Sequence, residues 1–225
     1  MTKEVDLFYD QSYEEAMGTG LIGTFWRFIH RQISHIVASS DDSIIFEIGA
    51  GHGQHFDSAL PKCRLYIETD IRQSFGYLKE FSPKDLNLSG RIKRAMNAED
   101  LGLVPNDSVD RVIVTCVLAH LRNPDAALME WRRIVKPNGT LVIYIPCEPG
   151  ILLPFIRYFT TRRKLNSLGV DQDAIHWLEH RNHFPYLQLL VKQVFRNDKV
   201  RVKRFPFAYL SWDLNLYAII SIDKE

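Results

Sequence analysis

Ile44-Ile45-Phe46-Glu47-Ile48-Gly49-Ala50-Gly51-His52-Gly53 is the stretch on which the reading of this chain turns. Its first half is a short branched apolar run, as in a strand buried on both faces. Its second half is a glycine loop. Glycines let the backbone turn tightly and approach a ligand, and the helix that opens beyond presents free N–H groups to it. That helix is predicted to run to about residue 60. Further strands are predicted over 64–70, 91–95, 109–115, 140–145, 199–205 and 214–222, with helices over 72–81, 123–135 and 185–195. Asn123-Pro124 supplies a cap and a first-turn proline for the second of these helices.

Upstream, Leu21, Ile22, Phe25, Trp26, Ile29, Ile33, Ile36 and Val37 recur at helical spacing. Strands alternating with helices at this pace mean an α/β fold. The expectation is one domain over 1–225, built on a doubly wound, mostly parallel seven-stranded sheet. It carries an N-terminal helical cap over 1–40 and a helical insertion or lid over 146–184, after strand five, where the alternation breaks.

Composition narrows the function classes. At 46% hydrophobic and 24% charged, the chain is neither disordered nor fibrous. A net charge of +1 argues against a general nucleic-acid binder. Three cysteines, odd in number and widely spaced, give neither a disulfide framework nor a metal motif. Acidic residues in Met1-Thr2-Lys3-Glu4-Val5-Asp6 do not suit a signal peptide, so a cytoplasmic protein is expected. Charge is uneven along the chain. Between residues 151 and 204 there are 11 Lys and Arg against 4 Asp and Glu. In 151–164, the apolar Ile151-Leu152-Leu153-Pro154-Phe155-Ile156 is followed by Arg157, Arg162, Arg163 and Lys164. That order suits either a solvent-facing lid helix or a peripheral membrane contact.

Asp70 lies 21 positions after Gly49, at the end of the second predicted strand, where a carboxylate can bind ribose hydroxyls. Gln54 stands where a dinucleotide fingerprint needs a third spaced glycine. Loop and acid together indicate a nucleoside-containing cofactor without a pyrophosphate.

From residue 44 to 145 the chain resembles the class I S-adenosylmethionine-dependent methyltransferases. The resemblance rests on several pieces in order: Glu47-x-Gly49-x-Gly51-x-Gly53, Glu68-Thr69-Asp70-Ile71, Asn97-Ala98-Glu99-Asp100-Leu101, Asp110-Arg111-Val112-Ile113 leading to Leu118-Ala119-His120-Leu121, and the run from Trp131 to Leu141. It implies S-adenosylmethionine as cofactor and S-adenosylhomocysteine as product. Gly49, Ala50, Gly51 and Gly53 would line the methionine part, with Glu47 at its ammonium group. Asp70 would bind the ribose and Ile71 would pack on the adenine, whose edge Asn97, Ala98 and Glu99 would face. Phe8, Tyr9 and Tyr13 are candidate aromatic faces for the sulfonium.

Chemistry needs an acceptor, and for a hydroxyl acceptor a base. His120 follows strand four, at the ligand-binding edge of such sheets. His176, His180 and His183 fall at i, i+4 and i+7 of a predicted helix, with Glu179 between them. They read as an acid–base face, as lid packing, or as a metal site lacking an evident fourth ligand. The expected catalytic residues are His120, His180 and His183, with no metal. The acceptor is expected to be a small molecule, a sugar or glycan, or a lipid precursor. Oxygen is preferred over nitrogen, because Pro146-Cys147-Glu148-Pro149 is not the Asn/Asp-Pro-Pro-aromatic signature of amino-group methylators. A nicotinamide-dependent oxidoreductase and a non-catalytic binding protein are the rival readings. The sequence leaves the oligomeric state open.

Overall fold

The computed structural model describes residues 18–37, 40–171, 176 and 179–225. The aromatic candidates Phe8, Tyr9 and Tyr13 lie outside that set. Within it, the chain runs α1 (Gly20–Ile36), β1 (Ile44–Ile48), α2 (Gln54–Ala59), β2 (Leu65–Asp70), β3 (Gly90–Ala95) and β4 (Val109–Thr115). It continues through α3 (Pro124–Ile134), β5 (Val135–Pro146), α4 (Leu152–Phe159), α5 (Thr161–Ser167), α6 (Phe184–Val194), β6 (Lys199–Phe205) and β7 (Tyr217–Asp223).

The seven strands form one sheet in the order β3-β2-β1-β4-β5-β7-β6. The first five in that order are mutually parallel, and β7 alone is reversed, pairing antiparallel with both β5 and β6. The sequence therefore predicted the sheet class and the strand count correctly. Alternate residues of the parallel strands feed two cores. Phe46, Ile67, Val112, Val114 and Ile143 pack under α3 and α6, around the fully buried Trp131 and Phe184. Ile45, Tyr66, Ile113, Val142 and Tyr144 pack against Ile29 and Ile33 on α1 and Val37 just after it. Burial on both faces is why these strands read as unbroken apolar runs.

Three boundaries differ from the sequence reading. In place of a helix over 72–81 there are two short 3₁₀ turns, Gln73–Phe75 and Pro83–Asn87. The buried apolar residues here are Phe75, Tyr77 and Phe81, and Gly76 between them turns left-handed at φ 86°. That spacing does not make one helical face. β5 starts at Val135, directly after α3, and passes through a left-handed Asn138. β7 starts at Tyr217, because Trp212–Leu214 forms a 3₁₀ turn.

α1 also packs on α2, and two histidines meet at that contact. His30 and His55 are buried, with their Nδ1 atoms 3.1 Å apart, so one imidazole donates and the other accepts. Burial lowers His30 to about 4, and burial with the charge of His30 lowers His55 to about 3. Both are thus neutral in the native state. The unfolded chain binds more protons as the pH drops from about 6.5 toward these values, so stability falls as the solution is acidified. Denaturant midpoints should drop through this window by on the order of a few kcal/mol in stability. The double substitution His30→Phe, His55→Leu should remove this component. An identical pH profile in both proteins would show that the pair is not held neutral.

Candidate active site

Every element of the site lies at the C-terminal edge of the parallel strands, where loops leaving adjacent strands diverge. The glycine loop leaves β1. A Cβ at Gly49 would come within 2.2 Å of Val117, which follows β4, so the two loops are in contact there. Gly51 turns left-handed at φ 55° with nothing within 4 Å of where a Cβ would sit. Its N–H donates to Asp70 Oδ2 at 3.0 Å, and its carbonyl accepts from the Tyr77 hydroxyl at 2.9 Å. The loop is pinned from two sides and open on a third. Gly53, also left-handed, has another cause: a Cβ there would meet Arg91 and Glu68. Its glycine serves packing, and it caps α2.

Three carboxylates gather beneath this loop. Glu47 and Glu68 are direct partners across β1 and β2, and Asp70 ends β2. Glu47 is buried and accepts from the Tyr66 hydroxyl at 2.7 Å. Burial first, then the charges of Glu68 and Asp70, push it up to about 8 against the pull of Tyr66. Glu68 pairs with Arg91 at 2.6 Å through one oxygen, while its other oxygen is buried without a hydrogen bond. Asp70 is raised by burial, and the N–H groups of Arg72 and Gly51 act against that. Beside it Ile71 is largely exposed, as a platform for a flat ring would be. Open space over Gly51, a negative floor with an unpaired oxygen and an exposed apolar platform fit a cationic nucleoside cofactor.

At the expected adenine edge the side chains have structural work. Asn97 accepts from the N–H of Glu99, Glu99 accepts from that of Asn123 at 2.6 Å, and the Ala98 carbonyl accepts from the Trp131 indole.

The other half of the site joins β4, β5 and the insertion. A 3₁₀ turn, Leu118–His120, follows β4. The Ala119 carbonyl accepts the N–H groups of both Arg181 and Asn182 at 3.0 Å, and the Asn182 amide donates to Leu121 at 2.7 Å. The Glu148 carbonyl, just past β5, accepts the N–H of Phe184. These bonds bring the end of the insertion against the two strand ends. His120 and His180 consequently meet edge to face, with ring centres 4.7 Å apart, and His176 follows at 4.4 Å from His180. His183 does not join them. The chain is extended at His183, which caps α6, so the three histidines do not share a helix face.

Glu148 organises the cluster. It is 3% exposed and carries contacts to Arg157 on α4, to His180 Nδ1 and, at 3.5 Å, to His176 Nε2. Burial raises its pKa, but the His180 hydrogen bond and the Arg157 charge outweigh that and hold it at about 2. An ionised carboxylate only accepts, so His180 Nδ1 carries the proton it donates and Nε2 keeps its lone pair. Burial holds His180 itself at about 4, hence neutral. A second carboxylate, Glu179, lies 3.5 Å from His120 Nδ1 and 3.8 Å from Arg72. The ligand atoms of Glu148, His176 and His180 lie within 4.8 Å of one another, although Arg157 already meets that carboxylate. Sequence reasoning missed the roles of Glu148, Arg157 and Arg72. The available signal was a carboxylate directly after β5, at the ligand-binding edge.

A family model described as a methyltransferase domain matches residues 46–143. This match and the fold together support the class I S-adenosylmethionine-dependent methyltransferase family that the sequence resembles. Human thiol S-methyltransferase TMT1B is 25% identical over 118 residues, covering 52% of this chain and 48% of that protein. The chain thus spans about half the length of the curated relatives it matches. Among solved structures, a possible histamine N-methyltransferase from Thermotoga maritima superposes with TM-score 0.64 at 16% identity, covering 99% of this chain and all of the other. Phosphoethanolamine N-methyltransferase 2 from Haemonchus contortus, in complex with S-adenosylmethionine, gives 0.61 at 12% identity, covering 100% of this chain and 60% of that one. Such structural likeness shows the fold. These comparisons support S-adenosylmethionine as the cofactor.

Two outcomes follow for the acids under the loop. Because Glu47 holds its proton to about 8, its share of stability is full below about 4.5 and is lost as the pH rises toward 8. Glu47→Gln should flatten that decline in thermal melts, and an unchanged slope would refute the assignment. Asp70→Ala leaves the N–H groups of Gly51 and Arg72 without their acceptor. Calorimetry with S-adenosylhomocysteine should read roughly a 10- to 100-fold loss of affinity.

Proposed function

We propose that this methyltransferase methylates a hydroxyl group of a small-molecule, glycan or lipid-precursor acceptor, and that His180 takes the acceptor's proton. The observation that carries this reading is the pairing of His180 Nδ1 with the buried, ionised Glu148. The pairing fixes the ring and its tautomer, leaving Nε2 as a lone pair. In this reading Asp70 holds the ribose, Glu47 and its neighbours face the cationic methionine end, Ile71 lies under the adenine, and Asn97, Ala98 and Glu99 border it. Gly49, Ala50, Gly51 and Gly53 shape the loop around it. The cofactor supplies an electrophilic methyl group on sulfur and leaves as S-adenosylhomocysteine.

The chain's own residues then supply alignment and proton transfer. The insertion, tied to Ala119 and Glu148, closes over the β4 and β5 ends and excludes water. As the acceptor oxygen loses its proton to His180 Nε2, the ring becomes cationic beside Glu148, whose charge stabilises it. His120, against the same ring and near Glu179, positions His180 or the acceptor. His183, capping α6, takes no part in proton transfer. A low imidazole pKa makes a weak base, so alignment carries much of the acceleration.

A thiol acceptor is the second reading. The human relative's name places its own chemistry on a thiol, and a thiol gives up its proton more readily than an alcohol. Nucleic acid is not the acceptor in either reading, given the balanced charge.

Turnover with methyl-labelled S-adenosylmethionine over a panel of alcohols and thiols tests the proposal. His180→Ala should lower kcat by roughly 10²- to 10⁴-fold on a hydroxyl acceptor. Glu148→Gln should lower it as well, with cofactor affinity retained. His183→Ala should change little. Unimpaired turnover in His180→Ala would remove the base assignment. A chelator should leave the rate unchanged, since Arg157 already serves as counter-cation to Glu148.

A further inference from the structure

α4 is an amphipathic helix whose apolar side faces outward. None of its residues is buried. Leu152, Leu153 and Arg157 are half-buried and turn inward, while Phe155, Ile156, Tyr158 and Phe159 are exposed. Ile151, just before it, is 66% exposed and Phe155 60%. A soluble surface helix normally shows the reverse arrangement.

A second segment extends this patch. The loop between β6 and β7 presents Phe207, Tyr209 and Leu210 to solvent, with Tyr209 fully exposed. Its shape is fixed from within. The buried Asn215 accepts from the N–H of Phe207 at 2.8 Å, and its amide donates to the carbonyls of Phe207 and Ser211. An ordered loop that exposes its aromatic residues is displaying them. The segments are joined where the N–H of Ile151 donates to the Asp213 carbonyl at 2.7 Å.

Basic groups border the apolar surface. Arg162 lies over the Tyr158 ring at 5.7 Å and Arg163 over the Phe159 ring at 5.6 Å. Residues 151–204 hold the chain's excess positive charge. Aromatic and aliphatic side chains rimmed by arginine suit the boundary between headgroups and acyl chains of an anionic bilayer. Among the described residues, no helix is long and apolar enough to cross a membrane, so contact through this patch would stay at the surface.

We propose that α4 and the β6–β7 loop together form a docking surface for an anionic lipid membrane. The same helix carries Arg157 into the Glu148 cluster, so docking sets the mouth of the site against the bilayer. An acceptor partitioned in the membrane then reaches the site without crossing water. This holds whichever atom is methylated.

Co-sedimentation of the full chain with phosphatidylcholine vesicles, with and without phosphatidylserine, tests the surface without any turnover. Binding is expected to anionic vesicles, to weaken with salt, and to be much weaker on neutral ones. Arg162→Gln with Arg163→Gln should cost roughly fivefold per arginine in partition coefficient. Phe155→Ser with Tyr209→Ser should weaken binding to both vesicle types with unchanged melting temperature, since both side chains are already exposed. Met129→Ser, an exposed site on α3, should have no effect. No sedimentation with either vesicle, or equal binding by all variants, would overturn the proposal. So would a dimer in sedimentation velocity that Phe155→Ser abolishes, because a second copy would then cover the patch. Failure here leaves the methyl-transfer reading standing, and loss of turnover in His180→Ala leaves this one untouched.

Discussion

Glu148 is a carboxylate taken almost wholly out of water, and its charge must be met from inside the protein. It emerges at the end of β5, so the partners have to come to that strand end. Arg157 arrives on α4, and His180 and His176 arrive from the far side of the insertion. The Ala119 carbonyl holds the returning chain through two N–H groups. The insertion is thus tied to the strand ends by one buried charge and a few backbone bonds. Removing Glu148 would cost the arrangement its centre. Removing Arg157 alone would leave a buried anion with less compensation.

The other half of the site works by the opposite arrangement. Beneath the glycine loop, Glu47, Glu68 and Asp70 are crowded together with Arg91 as the nearby cation. The protein stabilises this by letting Glu47 keep its proton and by burying it against Tyr66. In the proposed reading, a cationic cofactor would relieve the crowding by supplying further positive charge. The two halves meet where Gly49 lies against Val117, at the reversal of strand order between β1 and β4. A methyl donor on one side and an acceptor on the other would face each other there.

The buried histidine pair shows that polar groups in this core also stabilise. His30 and His55 satisfy one another between α1 and α2 at the back of the glycine-loop helix. The helix that follows the loop is thereby fixed to α1.

The amino-acid sequence by itself determined the sheet. Two-sided burial forces apolar runs such as 44–48 and 109–115, and these are visible residue by residue. It also placed Gly49, Gly51 and Asp70 together at the strand ends, because they follow those ends at fixed short spacings. What it overstated was local regularity, as in the helix expected over 72–81 and the single face expected for His176, His180 and His183. Periodicity registers repeated spacing and is blind to a left-handed Gly76 or to a chain that straightens before α6. Only the tertiary structure brought the cluster around Glu148 together. Glu148, Arg157 and His180 are 9 to 32 positions apart, on three separate segments, and a buried charge selects its partners by distance in space. No spacing rule along the chain encodes that.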